Sequence, residues 1–152
     1  MPFFKWITVA VAAIATLVLV AQCGSPTPRE QSSVRMAPCP DSPNCVSSRA
    51  EPSDTVHYAP PLAYSGSMAD ARQRLLAVID ALPRTKVVED DGNYLHVEFQ
   101  SLIFRFVDDV EFEFDDAVQA IQFRSASRVG YGDMGVNRTR MDEIKAKFAA
   151  LP

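Results

Sequence analysis

Apolar and polar residues alternate along the middle of this chain, and this alternation constrains the fold more than any other feature. Three successive runs show it, at residues 94–100, 102–114 and 119–124. A period of two places apolar side chains on one face of a β-strand and polar side chains on the other, as in antiparallel sheets. The sequence therefore predicts an antiparallel sheet with one apolar face.

Turn signals predict how these strands connect. Residues 90–93 (DDGN) favour a tight turn between a strand at 86–89 and the run at 94–100. Within residues 102–114, a three-residue loop at 107–109 would pair Phe106 with Val110, and would place Arg105 beside Glu111. One long strand with a bulge at Asp108 is the alternative. A turn at residues 115–118 then sets Ile121 opposite Phe112.

Two helices are predicted outside these strands. Residues 67–82 have helical spacing of apolar positions, with Ser65 or Ser67 as the cap and Pro83 as the stop. Residues 138–151 form the second helix, with Asn137 as its cap. The predicted fold is a single α+β domain, an antiparallel meander sheet of four to five strands with both helices packed on one face.

The first cysteine follows an export-type segment. Lys5 precedes an apolar run at residues 7–21, which is shorter than the roughly 20 residues that a membrane-spanning helix needs. Residues 20–23 (VAQC) resemble a bacterial lipobox, although Gln22 departs from the small residue usual before the cysteine. We therefore expect lipidation at Cys23, with an uncleaved anchor or conventional cleavage as alternatives. Each outcome places the folded part outside the cytoplasm, on the periplasmic face, and at the outer membrane for a Gram-negative lipoprotein.

The other two cysteines frame the segment CPDSPNC at residues 39–45. Its two prolines and its asparagine favour a turn that brings Cys39 and Cys45 close together. A structural disulfide is the expected state of such a pair in an oxidising compartment. A redox-active pair normally has two residues between its thiols, and a zinc site would need both His57 and His96 as further ligands.

Composition divides the chain into three parts. Residues 1–22 are the signal peptide or anchor, residues 23–38 a flexible tether rich in Pro and Ser, and residues 39–152 the folded domain. The whole chain carries a net charge of −4, and removing residues 1–22 removes only Lys5 from the charged residues. An acidic domain of this kind argues against nucleic acid as a partner.

The segment RSASRVGYGDMGVNRTR at residues 124–140, here called the Arg/Gly-rich loop, is the most unusual stretch of the domain. Its three glycines and its position before a helix are typical of anion-binding loops, although the lysine of a phosphate-binding P-loop is missing. The candidate ligand-binding residues are Arg124, Arg128, Asp133 and Arg138. The alternative is a structural loop whose arginines neutralise Asp108, Asp109 and Asp133.

Other chemistry receives little support from the sequence. The acidic run at residues 108–116 could bind calcium, but we interpret it as a solvated edge. We expect His57 in a loop and His96 on an exposed strand face. Ser47 or Ser48 could join His57 in a triad, yet no nucleophile elbow surrounds either serine. We therefore predict no catalytic residue, no metal and no cofactor.

Four segments together resemble the uncharacterised domain-of-unknown-function family DUF1499, as a bacterial envelope lipoprotein-type member. They are CPDSPNCVSS at 39–48, HYAPPLAY at 57–64, FVDDVEFEFD at 106–115 and the Arg/Gly-rich loop at 124–140. The resemblance covers nearly all of the domain, and it implies a fold without implying a chemistry.

These observations favour a membrane-tethered periplasmic protein whose Arg/Gly-rich loop binds an anionic small molecule, a lipid headgroup or an envelope protein. The membrane would be contacted through the N-terminal lipid or anchor. A hydrolase-type enzyme of the cell envelope is the alternative, which would use Asp133, His57 or the Asp108–Asp109 pair.

Overall fold

A computed structural model describes residues 34–151. Cys23 and the predicted signal or anchor at residues 1–22 therefore lie outside the described residues. Among the residues described, no helix combines the length and the hydrophobicity that crossing a membrane requires.

Six strands and two helices follow one another along the chain. Their bounds are β1 Cys45–Ser47, β2 Leu62–Ala63, α1 Met68–Asp80, β3 Thr85–Asp91, β4 Tyr94–Gln100, β5 Val107–Asp115, β6 Ala120–Ser127 and α2 Val136–Ala150. All strand pairs are antiparallel, in the order β1-β6-β5-β4-β3, and the short β2 also pairs with β6. The α+β prediction and the central meander are confirmed, while β1 and β2 add two short strands beside β6.

The core lies between one face of the sheet and both helices. Phe112 and Phe123 are its largest completely buried side chains, and they are direct neighbours across β5 and β6. Helix α1 buries Leu75 and Ile79 there, and α2 buries Ile144 together with Met141 and Phe148. Because the apolar residues recur at helical spacing in α1 and α2 and at every second position in β5, these elements turn one apolar face inward. The edge strand β3 contributes no buried residue to this core.

Helix α1 begins as its sequence predicts, but α2 does not. Ser67 is the N-cap of α1, and its hydroxyl accepts a hydrogen bond from the Asp70 backbone N–H. The N-cap of α2 is Gly135, which has a left-handed φ of 79°, and the helix starts at Val136. The prediction of Asn137 as a cap is wrong because this residue lies inside the first turn, where its side chain is buried.

The predicted hairpin within residues 102–114 is also wrong. Strand β4 pairs directly with β5, with Gln100 opposite Val107, so residues 101–106 form the connecting loop. Asp108 and Asp109 lie within β5 and not at a turn. The β5–β6 register differs from the prediction by two residues, since Ile121 is opposite Phe114. This shift keeps the same face inward.

The folded region starts before the predicted boundary at Cys39. Met36 is buried and its backbone N–H donates a hydrogen bond to Glu111 Oε1 at 2.9 Å. Arg35 pairs with Glu89 and Asp91 at the end of β3, and its guanidinium stacks over the Tyr94 ring. Two residues assigned to the tether are therefore packed on the sheet, close to the start of β4.

Candidate functional site

The second face of the sheet is charged and only partly open to solvent. Tyr94, His96 and Glu111 are buried on this face. The Tyr94 hydroxyl donates to Glu111 Oε1 at 2.7 Å, and Arg124 Nη1 donates to Glu111 Oε2 at 3.1 Å. Burial and the bond to Glu111 raise the pKa of the Tyr94 phenol. The prediction of His96 as an exposed histidine is wrong. The interpretation of the acidic run at residues 108–116 as a solvated edge is wrong for Asp108 and Glu111, which are buried, while Asp116 at its end is exposed.

Arg128 and Asp109 form the most extensive ion pair on this face. Arg128 Nε and Nη2 donate to the two Asp109 carboxylate oxygens at 2.8 and 2.7 Å, and Nη2 also contacts Glu98 at 2.5 Å. His96 Nε2 lies 2.7 Å from Asp109 Oδ1. Burial alone would raise the pKa of Asp109, but the hydrogen bonds from His96 and Arg128 outweigh it and lower this pKa to about 2. This bidentate geometry is the strongest form of arginine–carboxylate contact.

The remaining arginines of the Arg/Gly-rich loop also have partners within the protein. Arg138 Nη2 donates to the carbonyl oxygens of Val56 and Tyr58 at 2.9 and 3.0 Å. Arg140 Nη2 contacts Asp108 Oδ2 at 2.5 Å, beneath the helix face of the sheet. Arg124 and Arg128 lie on the opposite face of the sheet from Arg140. Of the predicted ligand-binding arginines, the structure thus brings Arg124 and Arg128 onto one face of the sheet, where each pairs with a carboxylate. It places Arg138 apart from them, against the segment at residues 56–58.

Asp133 organises the start of α2. Its carboxylate accepts hydrogen bonds from the backbone N–H groups of Gly135 and Asn137 at 3.0 and 2.7 Å, so it replaces the missing side-chain cap. It also accepts from the Asn137 side-chain amide at 2.8 Å. No arginine neutralises Asp133 among the contacts of the described residues, in contrast to Asp108 and Asp109.

The disulfide segment is attached to this loop through two buried asparagines. Cys39 and Cys45 form the predicted disulfide, with a Cα–Cα distance of 5.7 Å. Asn44 Nδ2 donates to the Gly130 carbonyl at 2.7 Å, and Asn137 Nδ2 donates to the Asn44 carbonyl at 3.0 Å. Both asparagines are 1% exposed. The segment at residues 39–45 and the Arg/Gly-rich loop therefore form one hydrogen-bonded unit.

A cleft beside the disulfide contains an Asp–His pair. His57 Nδ1 lies 2.7 Å from Asp54 Oδ2, and the hydrogen bond with His57 lowers the pKa of the Asp54 carboxyl. His57 Nε2 lies 3.3 Å from the Ser42 carbonyl oxygen, while Ser47 Oγ donates to the Phe123 carbonyl at 3.1 Å. Neither ring nitrogen of His57 is positioned to take the Ser47 proton. Among the described residues, no group of three or more His, Cys, Asp or Glu side chains is arranged to hold a metal ion.

An apolar surface lies where β4 ends and α2 begins, and sequence reasoning missed it. We call it the apolar rim. It consists of Leu102, Ile103, Phe104, Phe106, Met134 and Val136, whose exposed fractions range from 48% to 101%. Leu102, Met134 and Val136 line a groove of about 440 Å³ whose wall also includes Leu82 and Phe99. The alternation of Leu102, Phe104 and Phe106 resembles a strand, so the sequence predicts these three side chains on the apolar face of the sheet, whereas they are exposed.

Basic residues accompany the apolar rim. Arg84 lines the groove, and Arg105 lies between Phe104 and Phe106 in the sequence. The rings of these two phenylalanines stack on each other, with centroids 5.5 Å apart. Arg84, Arg105 and Met134 all have a positive φ, between 53° and 59°, which is uncommon for residues other than glycine. Arg84 Nε donates to the Gln100 carbonyl oxygen at 3.0 Å. Within residues 34–151, the Arg105 guanidinium has no hydrogen-bond or ion-pair partner.

A family model described as a protein of unknown function, DUF1499, matches residues 35–148. The chain belongs to the DUF1499 family. The DUF1499 match starts at Arg35, the same residue at which the structure shows the chain packing on the sheet. It spans both the carboxylates of β5 and the arginines that pair with them. No curated protein shows significant similarity to the chain.

The low pKa of Asp109 predicts an acid-dependent contribution to stability. Because this pKa is lower in the folded state than in the unfolded chain, the contribution is present above about pH 4 and is lost as the pH falls towards 2. We expect it to amount to about 2 kcal/mol. Urea unfolding at a series of pH values would measure it for the natural chain and for Asp109→Asn. If both proteins lose the same free energy of unfolding between pH 5 and 2, the Asp109 carboxylate is not the source of the acid-dependent stability.

The ion pairs of the Arg/Gly-rich loop predict that its arginines stabilise the fold. Arg128→Ala leaves the mostly buried Asp109 carboxylate without its bidentate partner, so we expect it to lower the free energy of unfolding by about 2–3 kcal/mol. Arg105→Ala is the matched control, since it removes an exposed guanidinium and should change stability by less than about 0.5 kcal/mol. Equal effects of the two substitutions in urea unfolding would contradict a structural role for Arg128.

Proposed function

We propose that this chain is a membrane-tethered extracytoplasmic binding module that docks through the groove and the apolar rim. One observation carries the proposal. The arginines of the Arg/Gly-rich loop bind protein acceptors, whereas Met134 and Val136 of the same loop are exposed beside an open groove. Exposed apolar side chains that cluster in this way are typical of interaction surfaces.

The proposed location rests on the cysteines. The Cys39–Cys45 disulfide is the form expected in an oxidising compartment. Cys23 follows the export-type segment and would carry the lipid that holds the domain at the membrane. Residues 24–33 would then join the lipidated cysteine to the first packed residues.

The choice of ligand class follows from the contacts of the charged groups. An anionic small molecule held by Arg124, Arg128 and Arg138 would have to displace their carboxylate and carbonyl partners, which is unfavourable for ion pairs that are already satisfied. A lipid headgroup or an envelope protein at the apolar rim requires no such displacement, and Arg84 and Arg105 supply positive charge there.

The hydrolase alternative has less support. The Asp54–His57 pair favours it, but Ser47 Oγ donates to a backbone carbonyl and not to His57. Asp133 is engaged at the start of α2, while Asp108 and Asp109 point to opposite faces of β5 and are each paired with an arginine.

Expression of the full chain in a bacterial host tests the proposed location. We expect the protein in the membrane fraction, with an intact mass that corresponds to a lipidated chain starting at Cys23, and with Cys39 and Cys45 resistant to alkylation until they are reduced. Cys23→Ser should lack the lipid mass and should keep the disulfide. A soluble cytoplasmic protein with freely alkylated thiols would contradict the proposal.

A further inference from the structure

The loop at residues 101–106 is held as a short, closed projection from the end of the sheet. The Ser101 backbone N–H donates to the Phe106 carbonyl at 2.8 Å, and the Phe106 N–H donates to Ser101 Oγ at 2.9 Å. These bonds join the base of the loop, so the backbone groups there are satisfied within the loop. Leu102, Ile103 and Phe104 are 72–79% exposed at its tip.

Two arginines accompany this projection. Residues 101–107 contain Arg105 and no acidic residue, and Arg84 lies beside them on the groove wall. Of the acidic groups on this side of the domain, Asp108 pairs with Arg140 and Glu143 pairs with Lys147 at 3.6 Å, while Asp133 accepts backbone N–H groups at the start of α2. Within the described residues Arg84 and Arg105 make no ion pair, so the exposed apolar side chains lie beside two guanidinium groups that can meet an anionic partner.

We propose that the apolar rim inserts into the surface of an anionic lipid bilayer, with Leu102, Ile103 and Phe104 entering the interface and Arg84 and Arg105 at the headgroups. This combination of an apolar tip and basic flanks is what interfacial membrane binding requires. The inference rests on the proposed function, because it takes the tethering membrane as the partner of the rim.

The length of the tether permits this contact. Arg35 and Met36 attach the tether near the start of β4, whereas the rim lies beyond Gln100 at the other end of the strand. A seven-residue strand spans roughly 20 Å. The eleven residue-to-residue steps from Cys23 to Val34 can span up to about 36 Å when extended. A lipid on Cys23 and the apolar rim can thus reach the same bilayer.

Tryptophan fluorescence of the full chain in vesicles tests the proposal. Trp6 is the only tryptophan, and it lies in the segment that processing at Cys23 would remove. Trp6→Phe therefore keeps any unprocessed chain free of background tryptophan, so that Phe104→Trp reports on the rim alone. Val118→Trp is the matched control, because Val118 is an apolar residue with 65% exposure in the turn between β5 and β6, at the opposite end of the sheet. Ile103→Trp is a second probe of the rim should Phe104→Trp fail to fold.

The chain would be reconstituted into vesicles that contain phosphatidylglycerol and lipids with brominated acyl chains. We expect the F104W indole to be quenched by the brominated lipids and shielded from aqueous acrylamide, and the V118W indole to show the opposite. Suppose that the protein floats with the vesicles but the indoles of F104W and I103W are as accessible to acrylamide as the indole of V118W. The rim then does not insert, which overturns the inference, while the proposed N-terminal attachment to the membrane is supported. A chain that does not float with the vesicles overturns the tether and the inference together.

Charge reversal tests the role assigned to the two arginines. The double variant Arg84→Glu, Arg105→Glu is made in the F104W background. In vesicles with phosphatidylglycerol, we expect the equilibrium constant for insertion of the rim, measured by quenching of the indole, to fall by roughly tenfold or more. An unchanged equilibrium constant for insertion of the rim would overturn the proposed contact between these arginines and anionic headgroups.

Discussion

Strand β5 carries acidic side chains on both of its faces, and the rest of the domain depends on the arginines that neutralise them. Four carboxylates on this strand pair with four different arginines: Asp108 with Arg140, Asp109 with Arg128, Glu111 with Arg124 and Glu113 with Arg49. Asp108, Asp109 and Glu111 have side chains that are at most 13% exposed, and burying them without these partners would cost several kcal/mol for each charge. The Arg49–Glu113 pair is more exposed and contributes less. Three of the four arginines belong to the Arg/Gly-rich loop or the adjoining strand and helix. The segments at residues 106–115 and 124–140 are therefore complementary halves of one structural unit.

This arrangement separates the residues that hold the fold from those that are free to bind. Asn44 and Asn137 join the disulfide segment to the Arg/Gly-rich loop, and Arg138 joins that loop to the carbonyls of Val56 and Tyr58. A loop that is fixed on all sides can hold exposed side chains in a defined position. Met134 and Val136 are held in this way beside the apolar tip of the β4–β5 loop, where they line an open groove. The docking that we propose at this surface would need no rearrangement of the ion pairs beneath it.

The sequence predicted those parts of the fold that depend on local patterns. Helix α1 and its Ser67 cap, strand β4 and the disulfide follow from spacing and from turn chemistry, and each is present. The β4–β5 connection could not be predicted, because Asp108-Asp109 has the composition of a turn. Only Arg128 and Arg140, which lie about twenty to thirty residues away, make these two residues acceptable inside a strand. The same misplaced turn put Leu102 and Phe104 on the apolar face of the predicted sheet, whereas both are exposed. The long-range partners of Arg124 and Arg128 could not be read from local patterns either, because Glu111 and Asp109 lie on a different strand.

The central claim is that the Asp109–Arg128 pair is a structural interaction within the charged face of the sheet. A double-mutant cycle with Asp109→Asn, Arg128→Ala and the double variant measures this interaction directly through their free energies of unfolding. We expect a coupling energy of roughly 1–3 kcal/mol, because removal of the first partner already forfeits most of the benefit of the second. Strictly additive effects of the two substitutions would show that the pair does not act as a unit and would contradict the claim.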